Sequence, residues 1–259
     1  MKIKLTLLFI LSSAFILLLN SCNDRNQNLD FERESSFNLD WKFIRGNVND
    51  ASEVKFDDTS WRSLDLPHDW SIEDLPEKEG IKQIGPFSEE SAGGISTGHV
   101  VGGTAWYRKH FTINKDDAGK IVKILFDGVY MDADVWLNGT HLGNHPYGYT
   151  AFSYDLTEHL NPVGEDNVLA VQVKNDGENS RWYSGSGIYR NVTLIKTNPV
   201  YIDLWGVHIT TPEVSEENAS IHIEAKIVNK TSEKNNLKLL VKILKPEGEL
   251  ILDTEYKFE

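Results

Sequence analysis

From Phe37 onward, outside residues 62–104, apolar side chains return at every second position in run after run. A chain patterned in this way can hide its apolar side only by building sheets and stacking them. The runs "AWYRKHFTI" (105–113), "KIVKILFDGV" (120–129), "DADVWLNGTHLG" (132–143), "NVLAVQVKN" (167–175) and "RNVTLIKT" (190–197) are rich in Val, Ile, Trp and Phe, which favour strands. Turn formers separate them. Asn138-Gly139 between two such runs is a hairpin signal, because both residues tolerate positive φ. No long segment holds apolar residues at three-and-four spacing, and "YDLTEHL" (154–160) has room for one helical turn at most. The fold class expected is all-β: a β-sandwich with a further sandwich after it.

Residues 62–104 break the pattern. They carry Pro67, Pro76 and Pro86 and the glycine-rich stretch "SAGGISTGHVVGG". Forty residues without periodicity inside a compact domain are usually functional or mobile. This segment is expected to wrap over the sandwich and approach something outside it. After Pro199 alternation resumes in "VYIDLWGVHITTP" (200–212), "SIHIEAKIVN" (220–229), "LKLLVKILKP" (237–246) and "ELILDTEYKF" (249–258). Four strands in about sixty residues fall short of the roughly seven strands of an immunoglobulin-like sandwich. The expectation is a partial domain over 199–259, completed by further chain or covered by a partner.

The first 21 residues read as a signal peptide. Lys2 and Lys4 precede an apolar run, Leu5 to Leu19, too short for a membrane span. The run ends in "LLNSC", which resembles the bacterial lipoprotein signal with acylation at Cys22; the alternative is a plain signal peptide with an incidental cysteine. Residues 22–36 then read as a polar tether between anchor and domain. A lipid on Cys22 would place the protein on a bacterial cell envelope, anchored without spanning the membrane. Cys22 is the only cysteine, so no disulfide within the chain is available. The formal net charge is −13, from 26 basic and 39 acidic residues. That excludes nucleic acid as the natural partner and suits a neutral ligand. No cofactor or metal is expected. His141 and His145 lie four apart, but off a helix that spacing means nothing. Gly185-x-Gly187 opens no helix and lacks the Lys of a phosphate loop. Asp132 and Asp134 share one face of a strand, where carboxylates are usually solvated.

"SRWYSGSGIYRNV" (180–192) concentrates the binding chemistry. An aromatic ring stacks on the CH faces of a sugar, and a guanidinium offers a rigid fork of donors to its hydroxyls. Arg181 and Trp182 are the candidate saccharide contacts; the other reading makes Trp182 core and the arginines ion pairs. His68 and Asp69 in "LPHDWSI" (66–72) are further candidates, with Asp69 capping a turn as the plainer possibility.

"WYRKHF" (106–111), "FDGVYMDADVWLNGTHLGNHPYGYTAFSYDLT" (126–157), "NVLAVQV" (167–173), "SRWYSGSGIYRNVTL" (180–194) and "LPHDWSI" together resemble the N-terminal sugar-binding domain of family 2 glycoside hydrolases, most nearly its β-galactosidase branch. The resemblance runs from Phe37 to Pro199 and implies a jelly roll over 37–198, an immunoglobulin-like domain from 199 and then a (β/α)₈ barrel. In that family two barrel glutamates cleave β-glycosides with retention. No position here matches them, so no catalytic residue is carried over and the chain alone is expected to be inactive. The resemblance places the 180–190 loop beside a saccharide site. It implies a β-galactoside-type saccharide and a catalytic barrel, on the same or a separate chain, as partners. The competing expectations are a free-standing carbohydrate-binding lipoprotein and a docking partner for a separately encoded barrel.

Overall fold

The structure, a computed structural model, describes residues 33–177 and 184–258. Sixteen strands follow in chain order: β1 (Glu34–Ser36), β2 (Trp41–Arg45), β3 (Arg62–Leu64), β4 (Gln83–Ile84), β5 (Phe87–Ser88), β6 (Gly103–Thr112), β7 (Ile121–Phe126), β8 (Ala133–Leu137), β9 (Thr140–His145), β10 (Phe152–Asp155), β11 (Asp166–Asn175), β12 (Val192–Thr197), β13 (Val200–Val214), β14 (Ala219–Asn229), β15 (Leu237–Leu244) and β16 (Leu250–Phe258). The only helical turns among the described residues are short 3₁₀ pieces, one of them at Thr157–His159 inside the "YDLTEHL" stretch.

A six-stranded sheet, in the order β3-β2-β6-β11-β8-β9, lies against a four-stranded sheet, β1-β12-β7-β10. Period-two patterning decides what lies between them. Trp41, Phe43, Tyr107, Val135, Leu169 and Val171 come from the first sheet, and Val122, Ile124, Phe126, Phe152, Val192 and Leu194 from the second. Each fully buried side chain of this size contributes about 1.5–3 kcal/mol. Phe126 and Phe152 stack at 5.0 Å with their planes 15° apart. This all-β sandwich agrees with the fold class read from the sequence.

The six-stranded sheet is buried on its other face too. Alternation in "AWYRKHF" sends Tyr107 inward and Trp106 and Arg108 outward. The outward pair meets no solvent, because the segment between β2 and β3 folds across it. Ala51 and Trp61 pack with Trp106 and Ala170, edged by Ile44, Phe56 and Trp136. Arg108 lies fully buried beneath this cover. Its Nε reaches Asp58 at 2.6 Å, and its Nη1 donates to the carbonyls of Ala51 and Glu53. The Asp58 carboxylate also meets His110 Nε2 at 3.1 Å.

Asn138 and Gly139 form the two-residue turn between β8 and β9, with φ of 50° and 80°. Asn138 does more than turn the chain. Its Oδ1 accepts from Val168 N–H at 2.9 Å, and its Nδ2 donates to Asn167 Oδ1 and to the His159 carbonyl. The substitution Asn138→Ala removes these bonds and is expected to lower stability by about 2–3 kcal/mol. Asn138→Gly, which keeps the turn conformation, should cost nearly as much in urea unfolding if the side-chain bonds dominate.

After Thr197 the strands form two antiparallel ribbons, β13-β14 and β15-β16. Tyr201 is buried near the start of β13, where Lys123 of β7 sits 5.1 Å from its ring. Asp203 accepts from both Lys123 and Lys226. Ile223, Ala225 and Ile227 of β14 and Leu239, Val241 and Ile243 of β15 line one groove. No helix among the described residues is long and apolar enough to cross a membrane.

Candidate functional site

Two irregular stretches, far apart in sequence, form one site. The first runs from Pro67 to Glu73, after β3. The second is a strap, Ser184 to Ile188, ahead of β12. His68 N–H donates to the Ile188 carbonyl at 2.8 Å, and Trp70 N–H donates to the Ser186 carbonyl at 3.0 Å. On its other side Gly187 exchanges both backbone bonds with Tyr130, at 2.9 and 2.8 Å. The strap is thus paired along both edges, as a strand would be.

Side chains lock this pairing. Asp69 Oδ1 accepts from Ser186 N–H at 2.7 Å and from Ser71 N–H at 2.9 Å. Ser71 Oγ donates to Ser186 Oγ at 2.6 Å, within a buried cluster. Asn175, the last residue of β11, donates to Ser186 Oγ at 2.7 Å and to the Gly185 carbonyl at 3.3 Å. Trp70 is buried, and its Nε1 donates to the Gly102 carbonyl. The two glycines of "SGSGI" are required by space. A Cβ on Gly185 would collide with the Asp69 carboxylate. One on Gly187, at φ +130°, would strike the Tyr107 hydroxyl and lie 2.6 Å from the His68 carbonyl oxygen.

Beneath the strap lies a polar chain. Tyr107 OH sits 2.7 Å from His68 Nδ1, and His68 Nε2 sits 3.0 Å from Glu73 Oε1. Arg62 makes a two-armed pair with the Glu73 carboxylate, one arm at 3.1 Å. Arg62 Nη2 also lies 2.8 Å from His68 Nε2, so that nitrogen faces a guanidinium donor as well as the Glu73 carboxylate. Burial pushes the Tyr107 phenol well above its ordinary range, so it stays neutral. Burial also lowers the His68 pKa, against an opposing pull from Glu73. Arg62 and His68, helped by their charges, hold Glu73 below the usual carboxylate range although burial alone would raise it.

The sequence-derived candidates fall as follows. His68 and Asp69 stand side by side at the strap, with the His68 ring nearly enclosed and Asp69 Oδ1 committed to two backbone donors. Arg181, Trp182 and Cys22 lie outside the described residues. Tyr107, Glu73, Arg62, Ser71, Asn175 and Ser186 were not anticipated. Nothing local marks them, since each matters only through a partner distant in sequence. Of the other readings, Asp134 is paired with Lys174 at 2.8 Å and with His141 at 2.8 Å, and Asp132 with Lys174 at 3.3 Å. His145 stacks on Phe152 and bonds Thr150. Among the described residues no cluster of His, Cys, Asp and Glu has the makings of a metal site.

Beside the strap opens a cavity of about 340 Å³. Arg45, Glu90, Thr97, Thr104, Asn175 and Ser184 stand in its wall, with the backbone of Val100 to Gly103. Its size is that of a small-ligand site, and its polar groups converge from four separate stretches of chain. A larger groove of about 890 Å³ lies between β14 and β15, lined by apolar strand residues and by the polar stretch Ser232 to Asn235. The segment after β3 packs on the strap and supplies part of the cavity wall.

Comparison with known proteins places this architecture. Residues 37–199 match the family described as glycosyl hydrolases family 2, sugar binding domain. The beta-galactosidase BoGH2A of Bacteroides ovatus is 44% identical over 237 residues, covering 91% of this chain and 26% of that protein. A beta-glucuronidase of Formosa agariphila is 35% identical over 243 residues, 83% of this chain and 23% of its own length. Among solved structures, a glycosyl hydrolase family 2 member from Bacteroides cellulosilyticus superposes with a TM-score of 0.78 at 41% identity, covering 87% of this chain and 28% of that one. The chain spans about a quarter of the length of these relatives. On the extent of the matched domain and on its sequence identity to these relatives, the chain belongs to glycosyl hydrolase family 2.

Proposed function

We propose that this chain is the saccharide-facing N-terminal portion of an exported, β-galactosidase-type family 2 glycoside hydrolase. The observation that carries the reading is the strap: it is bonded on both edges beside a polar cavity, and it directly follows the segment that holds Arg181 and Trp182. A strap bonded along both edges gives the wall beside the cavity a fixed shape, which is what a neutral sugar with directional hydroxyls requires. Arg181 supplies donors and Trp182 a stacking face. His68 and Asp69 serve the same wall from behind, by holding the strap.

Cleavage of the glycosidic bond needs a pair of positioned carboxylates. In this reading they belong to a (β/α)₈ barrel in the complete enzyme. The sandwich over 37–198 is the binding domain, and residues 199–259 begin an immunoglobulin-like domain that leads onward. Residues 1–21 direct export, and acylation of Cys22 holds the enzyme on the cell envelope through the 22–36 tether. The relatives named above include both a beta-galactosidase and a beta-glucuronidase, and the "RWYSGSGIYR" form favours the galactoside.

Isothermal titration of the purified chain with galactose and lactose tests the binding half. Weak heats, abolished by Arg181→Ala, are expected, with glucuronic acid binding less well. Silence at tens of millimolar sugar would count against a saccharide wall. Turnover of a chromogenic galactoside by this chain alone would refute the assignment of cleavage to a barrel.

A further inference from the structure

The geometry points to a second saccharide contact on the far edge of the strap: Tyr147 and Tyr149, at the tip between β9 and β10, form a stacking platform for a further sugar unit of a β-linked oligosaccharide. The inference rests on the saccharide reading above and adds a place to it. Both tyrosines are more than half exposed. Single exposed apolar side chains are ordinary, but two large rings set side by side in water call for a partner.

The exposed rings are firmly mounted. Tyr149 meets Tyr147 edge to face, with centroids 5.6 Å apart, and meets Tyr130 in the same manner at 5.2 Å. Tyr130 is itself buried, and its backbone exchanges both hydrogen bonds with Gly187 of the strap. Behind the tip, Tyr189 donates its hydroxyl to the Gly148 carbonyl at 2.8 Å. Gly148 passes so close over the Tyr130 ring that a Cβ there would collide with it. The tip therefore stands on two tyrosines, one bonded to the strap and one immediately after it. Rings fixed in this way lose little freedom when a ligand settles on them.

The chemistry of the tip selects the ligand. From Asp127 to Asp155 these two tyrosines are the only large apolar side chains that are exposed. The centre of a protein–protein patch is apolar, and no exposed aliphatic group stands here to supply it. A ring that is apolar on its face and polar at its hydroxyl suits a ligand of the same kind. A pyranose is such a ligand, with CH groups on its face and hydroxyls around its edge. Position agrees with chemistry. Tyr130 alone links the strap backbone to the Tyr149 ring, so a saccharide of a few units held at the strap spans to the tip.

The test takes the full chain with ¹³C-labelled tyrosine rings and titrates it with galactose and with a β-linked galactotetraose. The ring signals of Tyr147 and Tyr149 are expected to move far more with the tetraose. The tetraose should bind roughly three- to tenfold more tightly than galactose, the factor that one aromatic contact supplies. Tyr147→Ala and Tyr149→Ala should each bring that ratio close to one, while Tyr147→Phe, which keeps the ring, should retain most of it. Gly148→Ala, which drives a methyl group into Tyr130, should act like the alanine variants although both rings remain. Ring signals that stay still at tens of millimolar tetraose, or a ratio that neither tyrosine-to-alanine variant lowers, overturn the platform and leave the tip to a protein partner. The labelled chain is unaltered, so this readout stands even where a variant fails to fold. The two readings fail separately. Galactose heat that depends on Arg181, with silent tyrosines, sinks the platform alone. Tyrosine shifts without any heat that depends on Arg181 keep the platform and sink the wall at the strap.

Discussion

Arg108→Met should destabilise the chain by roughly 3–5 kcal/mol, the range for removing one partner of a buried ion pair. The guanidinium is fully enclosed and answers one carboxylate and two carbonyls. Methionine fills part of the volume but leaves Asp58 charged, with only His110 nearby, and strands the Ala51 and Glu53 carbonyls. For a protein of this size a loss of that order lowers the melting temperature by about 10 °C. Differential scanning calorimetry measures it. The double substitution Asp58→Asn with Arg108→Met should recover part of the loss, because the unpaired charge is then gone. A fall of less than 1 kcal/mol would mean that the 46–61 cover contributes little to holding the sandwich together.

The second large effect is expected at Gly187. Gly187→Ala places a methyl group against the Tyr107 hydroxyl and the His68 carbonyl, at a φ of +130° that L-residues rarely adopt. Strain of this kind costs about 1–3 kcal/mol before any collision is counted. Neither neighbour can retreat: Tyr107 is packed in the core, and His68 is fixed by its own bond to Ile188. The strap must therefore detach. The expected result is loss of measurable galactose binding with a much smaller change in global melting temperature, since the two sheets do not depend on the strap. Gly164→Ala, at a positive-φ position with open space around it, is the control, and should leave binding unchanged. Sugar binding that survives Gly187→Ala would separate the strap from the saccharide wall.

How much of this the sequence revealed varies from residue to residue. Strands β6, β7, β8, β11 and β12 begin and end within a few residues of the alternating runs, because burial on at least one face imposes period two on each. The Asn138-Gly139 turn was equally plain, because its backbone needs residues that accept positive φ. Trp106 was less legible. It points away from the core between the sheets, yet only 5% of it is exposed, since the 46–61 segment covers the outward face of β6. Alternation says which side of a strand a residue takes. It does not say that both sides are enclosed. The same blindness hides Arg108. At the strap, "PHDW" and "SGSGI" were each picked out, but the bond between Asp69 and Ser186 joins residues 117 apart, and no local pattern encodes a pairing at that distance.

Those long separations also govern how the chain is made. The strap meets Asp69 across 117 residues, Val192 meets Asn38 across 154, and Leu194 meets Ser35 across 159. Strand β12 sits between β1 and β7, so the four-stranded sheet cannot assemble until residue 197 has left the ribosome. At about 5–20 residues per second, β7 waits several seconds for that partner with its apolar face bare. Non-local pairing of this kind folds slowly once synthesis ends. Under the export proposed above, that delay is an advantage, because an unclosed sandwich is still threadable.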